Sequence, residues 1–178
     1  VKRNEPSLYS RIASVMLPGD YIAYRLSSSI STTPSGLSEA MLWDFYKQKR
    51  ADFVADYFGF DKSLFPELVP SIGVQALTSA QTERLFGIPE GTPVSYRAGD
   101  QPNNAFSLNV LRSGEVAATA GTSGVVYGVG SNAKPDPQGR VNTFLHVTPY
   151  DPAAQGVLLC INSVGIMNSW ARKHYCPE

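Results

Sequence analysis

The chain has 178 residues, of which 43% are hydrophobic and 17% are charged. Its 15 basic and 15 acidic side chains cancel, which excludes the charge imbalance expected of a protein that binds nucleic acid or an anionic membrane surface. Two cysteines and two histidines are too few for a disulfide framework or a zinc site. We therefore expect a globular, cytoplasmic protein with a hydrophobic core and no metal site of its own.

The beginning of the chain carries a helical pattern. Residues 6–26 predict helix, with Pro18 suited to a first helical position and the apolar Ile22 and Leu26 behind it. Residues 27–36 are rich in serine and threonine, which predicts an irregular loop.

Two further helices are marked by their ends. Residues 51–58 predict a helix that stops at Gly59, since glycine readily adopts the left-handed conformation after a helix. Thr78 followed by Gln81 three residues later predicts a capping box at the start of the next helix. That helix should end near Gly87.

The pattern changes from helices to strands near residue 112. Before this point, residues 92–96 predict a short strand and residues 101–111 a helix with one apolar face. After it, the predicted strands cover residues 115–120, 125–129, 141–148 and 157–162, and a last helix covers residues 163–174. The change makes residue 112 the best candidate for a domain boundary.

An apolar run from Val157 to Ile161 contains Cys160. The run is far too short to span a bilayer. It predicts a buried strand, and Cys160 should therefore be buried with it.

Asp100 is a carboxylate at a junction between a strand and a helix. In α/β folds, ligands commonly bind outside the carboxyl ends of strands, where a carboxylate can accept a proton from a substrate hydroxyl. Aspartate is equally suited to capping the helix that begins at Gln101. The two roles can coexist, and position alone does not separate them.

The segment Gly121-Thr122-Ser123-Gly124 joins two predicted strands. Glycines let the backbone approach a ligand, and successive N–H groups in a turn can bind an anion. The hydroxyls of Thr122 and Ser123 would add neutral donors for phosphate oxygens. The alternative is a plain hairpin turn without a ligand.

Four motifs in this order resemble the FGGY family of carbohydrate kinases. Leu17-Pro18-Gly19-Asp20-Tyr21 fits the pattern L-P-x-D-Y, and Ser35-Gly36-Leu37-Ser38-Glu39-Ala40 loosely fits the run of acidic and small residues that follows it. Gly99-Asp100-Gln101 and Gly121-Thr122-Ser123-Gly124 complete the pattern. The resemblance covers essentially the whole chain and is strongest to the xylulokinases within that family.

The resemblance implies a fold. It predicts part of a two-domain α/β kinase with the ribonuclease H-like, actin-like ATPase fold, in which sugar and ATP bind between the domains. Residues 1–111 would form the C-terminal part of the first, sugar-binding domain. Residues 112–178 would form the N-terminal part of the second, nucleotide-binding domain.

The resemblance also implies roles for individual residues. Asp100 would bind the sugar and act as the general base, and Gln101 would contact the substrate as in glycerol kinases, which share Gly-Asp-Gln; xylulokinases more often have Asn there. The ATP phosphates would be held by Gly121, Thr122, Ser123 and Gly124. Gly165 matches a glycine beside the nucleotide. The implied cofactors are ATP and the Mg²⁺ that it carries.

The implied reaction is ATP-dependent phosphorylation of a sugar hydroxyl, D-xylulose to xylulose 5-phosphate. The family's first phosphate loop and its adenine-binding glycines have no match in this chain, so we do not expect the chain alone to turn over substrate. The expected partners are a small sugar and ATP, with neither nucleic acid nor membrane, and the resemblance leaves room for a homodimer of the full-length enzyme. Three alternatives stay open: a kinase for gluconate, ribulose or glycerol, a sugar- or nucleotide-binding module without catalysis, and a purely structural fragment.

Overall fold

The computed structural model describes residues 1–131 and 134–176. The chain divides into two compact units between Ala98 and Gly99. No helix within the described residues is both long enough and apolar enough to cross a membrane.

The first unit combines five helices with short strands. The helices are α1 (Pro6–Tyr9), α2 (Pro18–Ser27), α3 (Pro34–Glu39), α4 (Asp52–Phe58) and α5 (Ala80–Phe86), with a 3₁₀ turn at Lys62–Leu64. The strands are β1 (Ser31–Thr32), β2 (Trp43–Asp44), β3 (Lys49–Arg50), β4 (Glu67–Leu68), β5 (Ile72–Leu77) and β6 (Pro93–Tyr96). They pair as β1 with β4 in parallel, and as β2 with β3 and β5 with β6 antiparallel.

The single helix predicted over residues 6–26 is wrong. The chain forms α1 and α2 instead, and α2 begins at Pro18. Proline disfavours helical backbone in the residue before it, and Leu17 is accordingly extended, with ψ of 159°. Pro18 does occupy the first helical position, as predicted.

The loop predicted over residues 27–36 contains part of α3. Thr33 is the N-cap of this helix, and its hydroxyl accepts a hydrogen bond of 3.1 Å from the backbone N–H of Gly36. Pro34 follows in the first turn. The serine- and threonine-rich composition therefore reflects helix capping as well as loop.

The predicted capping box of Thr78 and Gln81 is wrong, because the N-cap lies one residue later and, among the described residues, no side chain of α5 bonds back to its N–H. Ser79 is the N-cap of α5, and its hydroxyl accepts from the N–H of Thr82 at 3.3 Å. The hydroxyl of Thr78 instead donates to the carbonyl of Pro89 at 2.7 Å. The predicted ends of α4 and α5 are confirmed, because Gly59 and Gly87 follow them with φ of 62° and 69°.

The second unit is built on a four-stranded antiparallel sheet with the strand order β7-β8-β10-β9. Its elements are α6 (Asp100–Ser107), β7 (Val116–Ala120), β8 (Gly124–Gly130), β9 (Asn142–Leu145), β10 (Gln155–Ile161) and α7 (Gly165–Tyr175). The predicted hairpin is confirmed, since Ala120 pairs with Gly124 across the turn.

Helix α6 is shorter than predicted. It begins at Asp100 and ends at Ser107, whereas the prediction extended to residue 111. Asn109 adopts a left-handed conformation with φ of 59°, which ends the helix, and the N–H of Val110 then bonds back to the carbonyl of Ala105 at 3.0 Å.

The core of the second unit lies between α6 and the sheet. Its buried residues come from the helix, three strands and the loop before β10: Ala105, Ala117, Tyr127, Val129, Ala154 and Leu158. The predicted burial of Cys160 is wrong, although β10 forms as expected. Gly156 and Leu158 are buried, while the last three residues of β10 are exposed.

Tyr127 is the largest fully buried side chain among the described residues. A Cβ atom placed on Gly156 would overlap its ring, so only glycine leaves room for Tyr127 on the neighbouring strand. The Tyr127 hydroxyl lies 3.2 Å from Nδ1 of His146, which is also buried. Tyr127, Gly156 and His146 therefore form one tightly packed group.

Protonation of buried His146 at acid pH should destabilise the sheet around Tyr127. Burial lowers the pKa of His146 below its ordinary value, and this effect is opposed in part by a hydrogen bond with the Val110 backbone and by the Glu115 carboxylate. The unfolded chain consequently binds the proton first, and the stability that rests on neutral His146 is present above about pH 6.5 and is lost as the pH falls through the lower, folded pKa. Hydrogen exchange of the β8 and β10 amides should report a smaller opening free energy at pH 5.5 than at pH 7.5.

A matched pair of variants tests the assignment. His146→Gln should reduce this pH dependence, while His174→Gln, which removes an exposed histidine of α7, should leave it unchanged. If His146→Gln showed the same pH dependence as the parent, His146 would not be its cause.

Candidate active site

Asp100 is the first residue of α6 and is exposed. Gly99 occupies the N-cap position and is buried. The helix therefore begins at Asp100, one residue earlier than if Asp100 were its N-cap. The Asp100 carboxylate accepts the backbone N–H of Gln101 at 2.7 Å and its side-chain amide at 3.3 Å. Asp100 thus makes a local contact at the helix start and still presents its carboxylate to solvent.

The turn between β7 and β8 is closed by its own backbone. The N–H of Gly121 donates to the carbonyl of Ser123 at 2.9 Å. Within the residues that the structure describes, neither the N–H nor the hydroxyl of Thr122 or Ser123 makes a hydrogen bond. The turn therefore offers two backbone donors and two hydroxyls to a ligand.

The start of α7 is attached to this turn. The N–H of Gly165 donates to the Gly121 carbonyl at 2.9 Å, and the N–H groups of Val164 and Ile166 approach the Thr122 carbonyl at 3.3 and 3.4 Å. The positive end of the helix dipole consequently lies beside the turn, where it would favour an anion.

Two glycines make this close approach possible. A Cβ atom on Gly165 would lie 2.5 Å from the carbonyl oxygen of Gly121, which is backbone and cannot swing away. A Cβ atom on Gly124 would lie 2.6 Å from a methyl group of Val164. The turn and α7 are therefore locked together by backbone contacts that larger residues would prevent.

The structure thus brings Gly121, Thr122, Gly124 and Gly165 together, and Ser123 belongs to the same turn. Asp100 and Gln101 contact each other, and among the described residues no hydrogen bond or ion pair joins them to the turn. Both groups belong to the second compact unit.

A buried network surrounds Arg97 in the first unit and was not predicted from the sequence. The Arg97 guanidinium forms an ion pair with Asp20 at 3.0 Å, and both side chains are largely buried. Burial lowers the pKa of Arg97, and the Asp20 carboxylate opposes that shift. Asp20 lies in the L-P-x-D-Y motif, but its partner is far away in the sequence, so no local pattern could pair the two residues.

Comparison with known proteins identifies the family. Residues 1–107 match the N-terminal domain of the FGGY family of carbohydrate kinases. Because this match covers more than half of the chain, the chain belongs to that family, as the sequence motifs predicted.

The similarity extends over the whole chain. A xylulose kinase of Bacillus subtilis is 25% identical over 178 residues, which cover 100% of this chain and 35% of the relative. The crystal structure of xylulose kinase from Rhodospirillum rubrum matches with a TM-score of 0.90 and 25% identity, covering 99% of this chain and 35% of that one. The chain therefore spans about a third of the length of these relatives.

A more distant structure supports the fold. Glycerol kinase of Plasmodium falciparum, crystallised with ADP, matches with a TM-score of 0.83 and 17% identity over 96% of this chain and 35% of that one. The predicted fold class is confirmed: the chain forms part of the α/β, actin-like ATPase fold of these kinases.

Proposed function

We propose that this chain supplies the general base and the phosphate-binding turn of an ATP-dependent sugar kinase that converts D-xylulose to xylulose 5-phosphate. The observation that carries the proposal is the exposed carboxylate of Asp100 in the same compact unit as a turn with free donors, locked to the start of α7. Family membership and the names of the relatives support the reaction class.

Asp100 would act on the sugar hydroxyl. Phosphoryl transfer requires the hydroxyl oxygen to bond to the terminal phosphorus of ATP while the bond to the ADP oxygen breaks. The Asp100 carboxylate would accept the hydroxyl proton, and the contacts from Gln101 hold that carboxylate in place. Gln101 would also contact the sugar.

The turn would hold the nucleotide. The free N–H groups of Thr122 and Ser123, together with their hydroxyls, fit phosphate oxygens, and Gly121 and Gly124 let the backbone approach them. When bound, ATP with its Mg²⁺ supplies the phosphoryl group. Gly165 would lie beside the nucleotide, because its N–H bonds to the turn.

The chain order favours bringing the two groups together. Ala105 of α6 and Ala117 of β7 share one buried cluster, and β7 then leads directly into the turn. Ala105 lies near the end of α6 and Ala117 near the start of β7, so an antiparallel arrangement of the two elements would bring the first residue of α6 and the last residue of β7 toward the same end.

We also propose that the family's two domains meet near residue 112, with residues 1–111 in the sugar-binding domain and residues 112–178 in the nucleotide-binding domain. The family match ends at residue 107, and the two compact units divide between Ala98 and Gly99. The division between the two compact units thus lies before residue 112, where we propose that the family domains meet.

A substrate panel tests the proposed reaction. The kinase that contains this chain should release ADP from ATP and Mg²⁺ in the presence of xylulose, with gluconate, ribulose and glycerol as alternative substrates in the same assay. Faster turnover of another sugar would revise the substrate but keep the reaction class. Binding of sugar or nucleotide without any turnover would replace the proposal by a non-catalytic binding module.

Replacing Thr122 with valine should raise the apparent KM for ATP by about tenfold, because a hydrogen bond to a charged group is worth about 1.5–3 kcal/mol. The hydroxyl makes no hydrogen bond within the described residues, so its loss breaks no internal contact. Thr119→Val makes the same change on the exposed part of β7 and serves as the control. An unchanged KM for ATP in Thr122→Val would remove the hydroxyl from the site.

A further inference from the structure

Arg97 lies directly after β6, and its guanidinium is held by three different segments. It bonds to the Asp20 carboxylate of α2 at 3.0 Å. It donates to the carbonyl of Ser31 in β1 at 3.1 Å and to the hydroxyl of Ser31 at 2.9 Å. Its Nε donates to the side-chain oxygen of Gln75 in β5 at 2.8 Å.

The backbone at the same position is anchored as well. The N–H of Arg97 donates to the carbonyl of Ser71 at 3.2 Å. Gln75 completes the arrangement, because its amide nitrogen donates to the carbonyls of Pro70 and Ser71 at 2.7 and 3.1 Å. The main chain and side chain of Arg97 are therefore fixed by one connected network.

Stability alone is a weak reason for such a network. The attraction within a buried ion pair offsets little more than the free energy needed to remove its charges from water. Apolar side chains of similar size often stabilise a protein equally well. The planar guanidinium makes four directed hydrogen bonds, which fix the position of Arg97. The chain segment held in this position leads to Asp100.

We propose that Arg97 is a positioning residue for Asp100, an inference that rests on the proposed function. Only Ala98 and Gly99 separate the two residues, so the network anchors the chain three peptide links before Asp100. A catalytic group displaced by about 1 Å can lose about 10²-fold in rate. Arg97 thus sets the distance from the Asp100 carboxylate to the sugar hydroxyl.

Arg97→Lys tests the inference because it keeps the charge but cannot make the same four directed bonds. In the kinase that contains this chain, we expect kcat to fall by about tenfold or more while the KM for ATP stays unchanged. Thr82→Val is the matched control, since it removes a different buried hydrogen bond of the first unit, from Thr82 to the carbonyl of Leu26 at 2.6 Å. It should lower stability without lowering kcat.

The double variant with Asp100→Asn separates positioning from a general loss of structure. Once the base is gone its position no longer matters, so Arg97→Lys should lower the residual turnover of Asp100→Asn very little. The same loss in both backgrounds, or an equal loss of kcat in Thr82→Val, would overturn the inference while leaving Asp100 as the base. Near-normal turnover by Asp100→Asn would overturn both.

If Arg97→Lys does not give folded protein, Gln75→Met provides the same test. It removes one bond to the guanidinium, together with the two bonds from Gln75 to the carbonyls of Pro70 and Ser71, and leaves the ion pair with Asp20. The expected result is a smaller loss of kcat that again disappears in the Asp100→Asn background. A loss that persists there would count against positioning.

Discussion

Replacing Asp100 with asparagine should lower kcat by about 10² to 10⁴-fold in the kinase that contains this chain, with little change in the KM for the sugar. Asparagine keeps the size of the side chain and an oxygen that can accept the N–H of Gln101, now 2.7 Å from the carboxylate. It lacks the basic lone pair that takes the proton of the sugar hydroxyl. Steady-state kinetics with both substrates varied would separate the two parameters.

Asp151→Asn is a suitable control for this experiment. The Asp151 carboxylate also belongs to the second unit and accepts a backbone N–H, that of Ala153 at 2.9 Å. The change of charge is therefore matched, and in both variants the remaining amide oxygen can still accept the local N–H, so the kcat of Asp151→Asn should stay close to that of the parent. If Asp100→Asn turned over at a near-normal rate, Asp100 would only stabilise the start of α6.

Much of the local structure could be predicted because it depends on neighbouring residues. Gly59 and Gly87 end α4 and α5 in the left-handed conformation, where glycine carries no steric penalty. The Gly121 to Gly124 segment forms the predicted hairpin because small residues at this spacing allow a tight turn between two strands. The order and type of elements in the second unit followed from such signals.

The errors arose where one local signal competed with another. Pro18 has a favourable first helical position, but it also forces Leu17 out of the helix, so one long helix became two short ones. Ser79 rather than Thr78 caps α5, and the Thr78 hydroxyl instead accepts the N–H of Thr92 and donates to the carbonyl of Pro89. The first outcome is a steric effect between neighbouring residues, whereas the second depends on contacts with residues more than ten positions away.

The candidate site could be predicted residue by residue but not as an arrangement. Family motifs pointed to Asp100, to the turn and to Gly165 separately. The backbone bond from Gly165 to Gly121, and the buried network that joins Arg97 to Asp20 and Gln75, connect positions far apart in the sequence. Such contacts are set by the packing of whole elements, which hydrophobic periodicity does not specify.

Replacing Gly165 with alanine should lower kcat/KM for ATP by about tenfold to 10²-fold, with little effect on the KM for the sugar. The added methyl group would lie 2.5 Å from the Gly121 carbonyl oxygen and would push the turn away from α7. Overpacking of this kind costs about 1–3 kcal/mol, and the displaced turn would no longer place its N–H groups for the phosphates. The inhibition constant of ADP in competition with ATP would measure the loss of nucleotide affinity directly.

Gly130→Ala is the matched control, because a Cβ atom at Gly130 in β8 meets no other atom within 4 Å. It makes the same substitution in the strand that follows the turn and should bind nucleotide like the parent. If Gly165→Ala also bound ADP with unchanged affinity, the contact between α7 and the turn would be purely structural, and the nucleotide would have to be held by other residues. A loss of affinity in Gly165→Ala alone would place the nucleotide phosphates at the junction of the turn and α7.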